Sequence, residues 1–306
     1  MEIGFAVPVS GSWSTRDNLV RVATRAEELG YGSLWTFQRL LSPVDGTWGE
    51  MYRSVQDPLV ILGFLAAVTT RPRLGVAVVN LPFVAPALLA KQATTIDVVS
   101  GGRLDLGLGL GWSDEEFAAT GAAKARRGAR AEEYVSVLRT LWTDTPAEHH
   151  GRFYTVPRMT MDPKPLQRPY PPILLGGSAP AALRRAGRLA DGWVSSSQAD
   201  PATLGTTVAA VAAAATEAGR DPARLRFICR AAVKLRPAGS PERRPLTGTV
   251  DEVRGDLAEI AAQGITELFV DLNFDPQVGS PDADPAASMA RAEEALDGFA
   301  PRSTRP

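Results

Sequence analysis

GGRLDLGLGLGW, residues 101–112, places glycines at 107, 109 and 111 with leucines in every gap. A dinucleotide-binding loop reads G-x-G-x-x-G and opens a helix. Here the third glycine comes one residue early, and Trp112 stands in its place. The spacing suits a β-strand, in which successive side chains point to opposite faces. Leu104, Leu106, Leu108 and Leu110 are expected on one face, packed in a wall. Gly107, Gly109 and Gly111 are expected on the other, where missing side chains admit a neighbouring backbone or a ring.

Working outward, the same strand type recurs with helices between. IGFAVPV (3–9) is a first apolar strand, followed by a helix from about residue 15. Ser14 and Asp17 resemble a capping box, and Gly30 is the stop signal. SLWTF (33–37) and RLGVAVVNL (73–81) read as strands two and three, with a helix between them that opens at Asp57-Pro58. A helix follows Pro86, the quoted stretch is strand four, and a further helix covers about 127–143. Residues 145–171 break the rhythm with six prolines and HHGRFYTVP, a short hairpin in an insertion. The alternation resumes with strands at 171–178, 191–197, 226–235 and 265–274 and helices at 180–190, 202–218, 250–263 and 285–299. Near-continuous apolar strands alternating with amphipathic helices make a parallel sheet covered by helices. Eight such units predict an α/β fold, a closed (β/α)8 TIM barrel spanning 1–306 as one domain, with 145–171 inserted between helix four and strand five. An open doubly wound sheet needs a glycine-rich first turn, which PVSGSWST lacks.

The composition agrees. In 306 residues, 44% are apolar and 22% charged, as in a globular chain with a sizeable core. The net charge of −1 gives no reason to expect a nucleic acid or anionic membrane as partner. MEIGFAVPV opens as a strand rather than a basic region before an apolar one, so no secretory leader is expected. One cysteine, Cys229 in FICR, fits a reducing compartment and an inert core thiol. A cytoplasmic location is expected.

In a TIM barrel the ligand site lies at the C-terminal strand ends. Those ends carry Gln38 and Arg39 after strand two and Val79 and Asn80 after strand three. Strand four leads into Gly111, Trp112 and the acids Asp114, Glu115 and Glu116. Gly176, Gly177 and Ser178 follow strand five, Ser195 follows strand six, and Asp271, Asn273 and Asp275 end strand eight. Gly176-Gly177-Ser178 precedes a helix, so it is a phosphate cradle or a plain turn. Arg39 binds an anionic ring or acid, or closes a rim salt bridge. The three acids include an active-site carboxylate or only favour the helix start. His149 and His150 are adjacent, point to opposite faces of an extended chain, and make poor joint metal ligands. No metal site, catalytic triad or G-x-S-x-G elbow is present in the sequence.

LGYGSLW, GVAVVNLPFVAPALLAKQATTIDVVSGGRLDLGLGLGW, PKPLQRPYPPILLGGS and ADGWVSS together resemble the luciferase-like monooxygenase superfamily, most closely the actinobacterial oxidoreductases that use the deazaflavin coenzyme F420. The resemblance is strong over about residues 1–200. It implies a flavin or deazaflavin across the strand tops and a non-prolyl cis peptide within Ala77 to Asn80. It implies phosphate contacts at Gly176, Gly177 and Ser178, and ring or ribityl contacts near Val79, Asn80, Gly111 and Trp112, with Ser195 also in the cofactor site. Many deazaflavin members carry Asp-His at the end of strand two, the histidine donating a proton. This chain has Gln38-Arg39, neither of which is a general acid near neutral pH. Glu115 is then the candidate proton donor, and Arg39 stabilises negative charge on ring or substrate.

Hydride transfer with F420 to or from a small organic substrate is the first expectation. A two-component monooxygenase using reduced FMN and dioxygen is the second; a homodimer and a separate flavin or F420 reductase are expected partners. A non-catalytic flavin-binding barrel and an unrelated phosphate-handling barrel are further alternatives. Trp35 and Trp112 are expected beside the ring. Loop 40–56, with Trp48, Met51 and Tyr52, is expected to cover an apolar substrate.

Overall fold

Eight parallel strands close into a barrel in the computed structural model, which describes residues 1–301. They are β1 (Glu2–Ala6), β2 (Ser33–Thr36), β3 (Arg73–Asn80), β4 (Leu104–Gly109), β5 (Ile173–Gly176), β6 (Gly192–Val194), β7 (Arg226–Ala232) and β8 (Glu267–Asp271). Each pairs with its neighbours in sequence, and β1 closes the ring against β8. The helices outside include α1 (Arg16–Leu29), α2 (Pro58–Val68), α3 (Pro86–Val99), α4 (Asp114–Thr120), α5 (Arg127–Thr143), α6 (Pro180–Leu189), α7 (Leu204–Glu217), α8 (Val250–Ala261) and α9 (Pro285–Gly298). The expected (β/α)8 barrel is therefore the fold.

Local signals act largely as read. Gly30 ends α1 at φ 86°, in the left-handed region, and Asp57 caps α2 with Pro58 at its first position. The cap of α1 differs: Thr15, not Ser14, accepts from the Asn18 N–H. The insertion holds an antiparallel hairpin, Ala147–His150 with Thr155–Met159. The seventh strand stops at Ala232, short of the expected 235. Lys234–Leu235 leaves the barrel and pairs with Thr247–Gly248.

The barrel interior is layered. At the N-terminal ends of the strands, Asp105 accepts from Arg73 Nε at 2.8 Å and from Arg226 Nη1 at 2.7 Å. Arg226 also reaches Glu267 at 2.6 Å, and Ser33 Oγ donates to Glu267 at 2.6 Å. Above this ionic floor, Trp35 stacks on Phe269 with centroids 4.7 Å apart. A side chain at Gly75 would occupy the space of that indole ring. Ala6, Ala77, Leu174, Val194 and Ile228 complete the apolar filling.

The glycine strand has a specific neighbour. Pairing of β3 with β4 slips between Val76 and Val79, so β3 bulges there. A Cβ on Gly107 would strike the Val76 carbonyl, and one on Gly109 would meet Val78 Cγ2 at 2.5 Å. The glycines thus accommodate the bulged backbone and the side chain of β3. Leu104, Leu106 and Leu108 are buried in the wall as expected. Leu110 lies beyond the strand end, half-buried, in the lining of the cavity above.

Candidate active site

A cavity of about 580 Å³ opens over the C-terminal strand ends. The β3 bulge carries a cis peptide at Ala77–Val78, within the stretch where one was expected. The bulge also resets the alternation of side chains. Val78 lines the cavity, whereas Val79 is fully buried in the wall beside Leu108. Val79 is thus a packing residue, and Val78 takes the place expected for it. Asn80 lines the cavity, and its N–H donates to Gln38 Oε1 at 2.8 Å. Gln38 therefore ties the ends of β2 and β3 together.

At one end of the cavity lie Gly176, Gly177, Ser178, Arg127 and Arg185. Gly177 has φ 127°, a conformation open to glycine, and Trp193 Nε1 donates to its carbonyl at 2.9 Å. A Cβ at Gly176 would make ordinary contacts, with Val78 at 3.4 Å and the Val194 and Leu108 carbonyls at 3.7 and 3.8 Å. No side chain caps α6, which starts at Pro180. Arg185 Nε is buried, lies 3.4 Å from Glu132 and makes no hydrogen bond. Glycine backbone, an uncapped helix start and two guanidiniums thus come together at this end, a donor set whose chemistry suits an anion. Ser195 lines the cavity at the end of the adjacent strand β6, its Oγ accepting from the Arg230 backbone N–H at 2.9 Å.

At the other end stands Arg39. Its Nη1 is 2.8 Å from Glu116 Oε2, and both side chains are almost wholly buried. Glu116 Oε1 also accepts from the backbone N–H of Leu40 at 2.8 Å and of Leu41 at 3.3 Å. Three rings surround the guanidinium: Trp112 and Tyr52 at 4.7 Å and Trp48 at 5.1 Å. Trp48 meets Trp112 edge-on at 4.7 Å. Loop 40–56 is thereby pinned to the end of β4 through Arg39. Glu115 is not part of this arrangement. It is exposed, and its carboxyl is held below the ordinary range, chiefly by the Ser113 hydroxyl. The helical turn sends Glu115 outward and Glu116 inward, so the buried acid of the DEE run is its third member.

Arg230 was not foreseen. Its Nε donates to Asp271 at 2.8 Å, while Nη2 is buried without a partner. Phe274 lies 4.6 Å and Phe37 5.0 Å from the guanidinium. An arginine in the apolar run RFICRAAV was its only sequence signal. Asp271 is occupied by Arg230 and by the Asn273 N–H, and Asp275 by Arg236 at 2.7 Å. Trp35 lies under the cavity floor, fully buried, and does not face the cavity; Trp112, 51% exposed, does. Burial pushes the Cys229 thiol up to about 11, against a hydrogen bond with Ser195, as an inert core thiol requires. His149 and His150 sit on the hairpin near Glu133 and Glu148, away from the cavity lining.

The model of the luciferase-like monooxygenase family matches residues 4–238. The chain belongs to that family. It is an enzyme of the luciferase-like type. An uncharacterised protein of Mycobacterium tuberculosis is 33% identical over 285 residues, covering 89% of this chain and 90% of its own. The FMNH2-dependent dimethylsulfone monooxygenase of Pseudomonas putida is 37% identical over 158 residues, 51% of this chain and 43% of its own. Among solved structures, monooxygenase RslO1 of Streptomyces bottropensis superposes with a TM-score of 0.79 at 24% identity, over 98% of each chain. At that identity the likeness is one of fold, the luciferase-like barrel. Among the described residues, no helix is long and apolar enough to cross a membrane.

Proposed function

We propose that this luciferase-like enzyme transfers hydride between a small organic substrate and coenzyme F420 held in the barrel-mouth cavity. The observation that carries a phosphorylated ring cofactor is the two-ended chemistry of that cavity. Gly176, Gly177, Ser178, Arg127 and Arg185 would hold the phosphate, and the Arg185 Nε makes no hydrogen bond within the protein. Asn80, Gly111, Trp112, Ser195 and the Val78 wall would flank the ring. The choice of the deazaflavin rests on the sequence blocks from LGYGSLW to ADGWVSS. When bound, the cofactor supplies the redox chemistry, and the protein supplies binding, orientation and electrostatics.

The residues have defined tasks in this reading. Arg39 and Arg230 place fixed positive charge at the ring end, where Glu116 and Asp271 hold them in position. Preorganised charges of this kind favour an anionic reduced ring or substrate oxygen without reorganisation. Gln38 fixes the Asn80 peptide. Among the described residues, no carboxylate, histidine or lysine lines this cavity, so Glu115 is not retained as donor and a proton comes from Tyr52 or from water.

A second reading, a monooxygenase working with reduced FMN and dioxygen, is favoured by the Pseudomonas relative and by that acid-free lining. Under either, a separate reductase supplies reduced cofactor. Titration of the purified chain with F420 and, separately, with FMN distinguishes them. Micromolar binding of F420 alone supports hydride transfer; binding of FMN alone supports the monooxygenase. Binding of neither overturns both.

A further inference from the structure

A second chamber of about 480 Å³ adjoins the first, sharing Tyr52, Ser197, Arg230 and Phe274 as common wall. Its own lining includes Lys234, Arg244, Gln198, Leu246 and Met51, and no aspartate or glutamate. Arg230, Ala232 and Lys234 alternate along the chain and all three line it. Arg230 and Ala232 share a face of β7, and Lys234 lines the chamber from just beyond the strand end, so the small Ala232 is the residue between two cations. Arg230 lines the chamber, and its Nη2 is buried without a hydrogen-bond partner. Two neighbouring arginines are paired: Arg236 with Asp275 and Glu242, Arg243 with Asp256. Lys234 and Arg244 have no ion-pair partner among the described residues. A buried guanidinium proton without an acceptor is costly unless a ligand supplies one. Three cations, an apolar wall and no competing carboxylate together define an organic-anion site.

We infer that this chamber is the substrate subsite and that it takes an organic acid, a carboxylate or sulfonate on an apolar body. The inference rests on reading the first cavity as the cofactor site. The anion lies between Arg230 and Lys234, with Arg244 at the mouth. The apolar body packs on Met51, Leu246 and Phe274 and faces the first cavity. Lys234 and Arg244 line only this chamber, so they act on substrate and not on the cofactor.

Calorimetric titration tests this, with hexanesulfonate, hexanoate and hexanol, on the full chain alone and saturated with F420 or FMN. Both acids bind with and without cofactor, and hexanol binds at least about tenfold more weakly, the scale of a charged hydrogen bond. Lys234→Met combined with Arg244→Gln lowers acid affinity at least about tenfold at unchanged cofactor affinity, and Lys234→Arg retains it. Equal binding of hexanol, no effect of the double variant, or no acid binding overturns the inference. Displacement of the acids by cofactor also overturns it, because the chamber would then hold an anionic part of the cofactor. If neither cofactor binds but acid binding still depends on Lys234 and Arg244, the anion site stands and the cofactor reading falls.

Discussion

Arg39 and Glu116 show what one buried pair does at the mouth of a barrel. The Glu116 carboxylate joins an arginine, two loop N–H groups and the start of α4. Removing one partner of a buried pair leaves an uncompensated charge, at a cost of about 3–5 kcal/mol. Glu116→Ala is expected to lower stability on that scale in chemical unfolding and to release loop 40–56 to proteolysis. A variant as stable and as resistant as the parent would show that the pair is incidental. Gly176→Ala makes a complementary case. Its methyl would make only ordinary contacts with Val78 and two strand carbonyls, so melting should not change, yet it narrows the cavity beside the proposed phosphate end. Cofactor affinity should fall at least about tenfold; unchanged affinity would move the phosphate elsewhere. Arg39 and Gln38 were legible in the sequence because a strand end is a fixed address in this fold. The choice of Glu116 over Glu115 was not, since it depends on the rotation at which α4 begins.

At the scale of elements, β4 and β3 are a matched pair, one stripped of side chains and the other bulged into the space. Gly107→Ala sets a methyl against the Val76 carbonyl, and overpacking of this kind costs about 1–3 kcal/mol. Guanidinium unfolding should report that loss; wild-type stability would mean that the bulge relaxes freely. The alternating glycines read as room for a neighbouring backbone or a ring, and the backbone of β3 at Val76 and its Val78 side chain are what fill it. The bulge also explains why the Val79 side chain lies in the wall and that of Val78 in the cavity. Period-two reasoning holds only while the pairing register does, and one extra residue reverses the faces beyond it. The seventh strand is shorter than its sequence predicts for a related reason: RFICRAAVKL keeps strand-forming residues between its three cations to the end, and only pairing with 247–248 reveals the departure at Lys234.

For the whole molecule, the ionic floor sets the response to acid. Burial alone would push Asp105 up, but hydrogen bonds from Arg73 and Arg226 outweigh it and hold its carboxyl below the ordinary range. A depressed folded-state value contributes stability that is complete above the unfolded value near 4 and is lost as pH falls through the folded one. Asp105→Asn is therefore expected to be less stable by about 3–5 kcal/mol at pH 7 and to show a shallower decline below about pH 4. Parallel curves for the two proteins in guanidinium unfolding at stepped pH would refute this. The eightfold alternation made the barrel legible from sequence, whereas the contents of its interior were not, because charged strand ends such as Arg73 and Arg226 look like ordinary surface positions. Trp112 gives an optical check on the cavity: most of the tryptophan quenching on cofactor binding should vanish in Trp112→Phe, and persistence would place another indole nearer the ring. The stack of Trp35 on Phe269 above that floor has a last consequence. This barrel is a cup and not a pipe. Water and protons have no axial route to the reacting groups, so they enter by the same mouth as the ligands, and a seated ligand becomes the stopper of its own vessel.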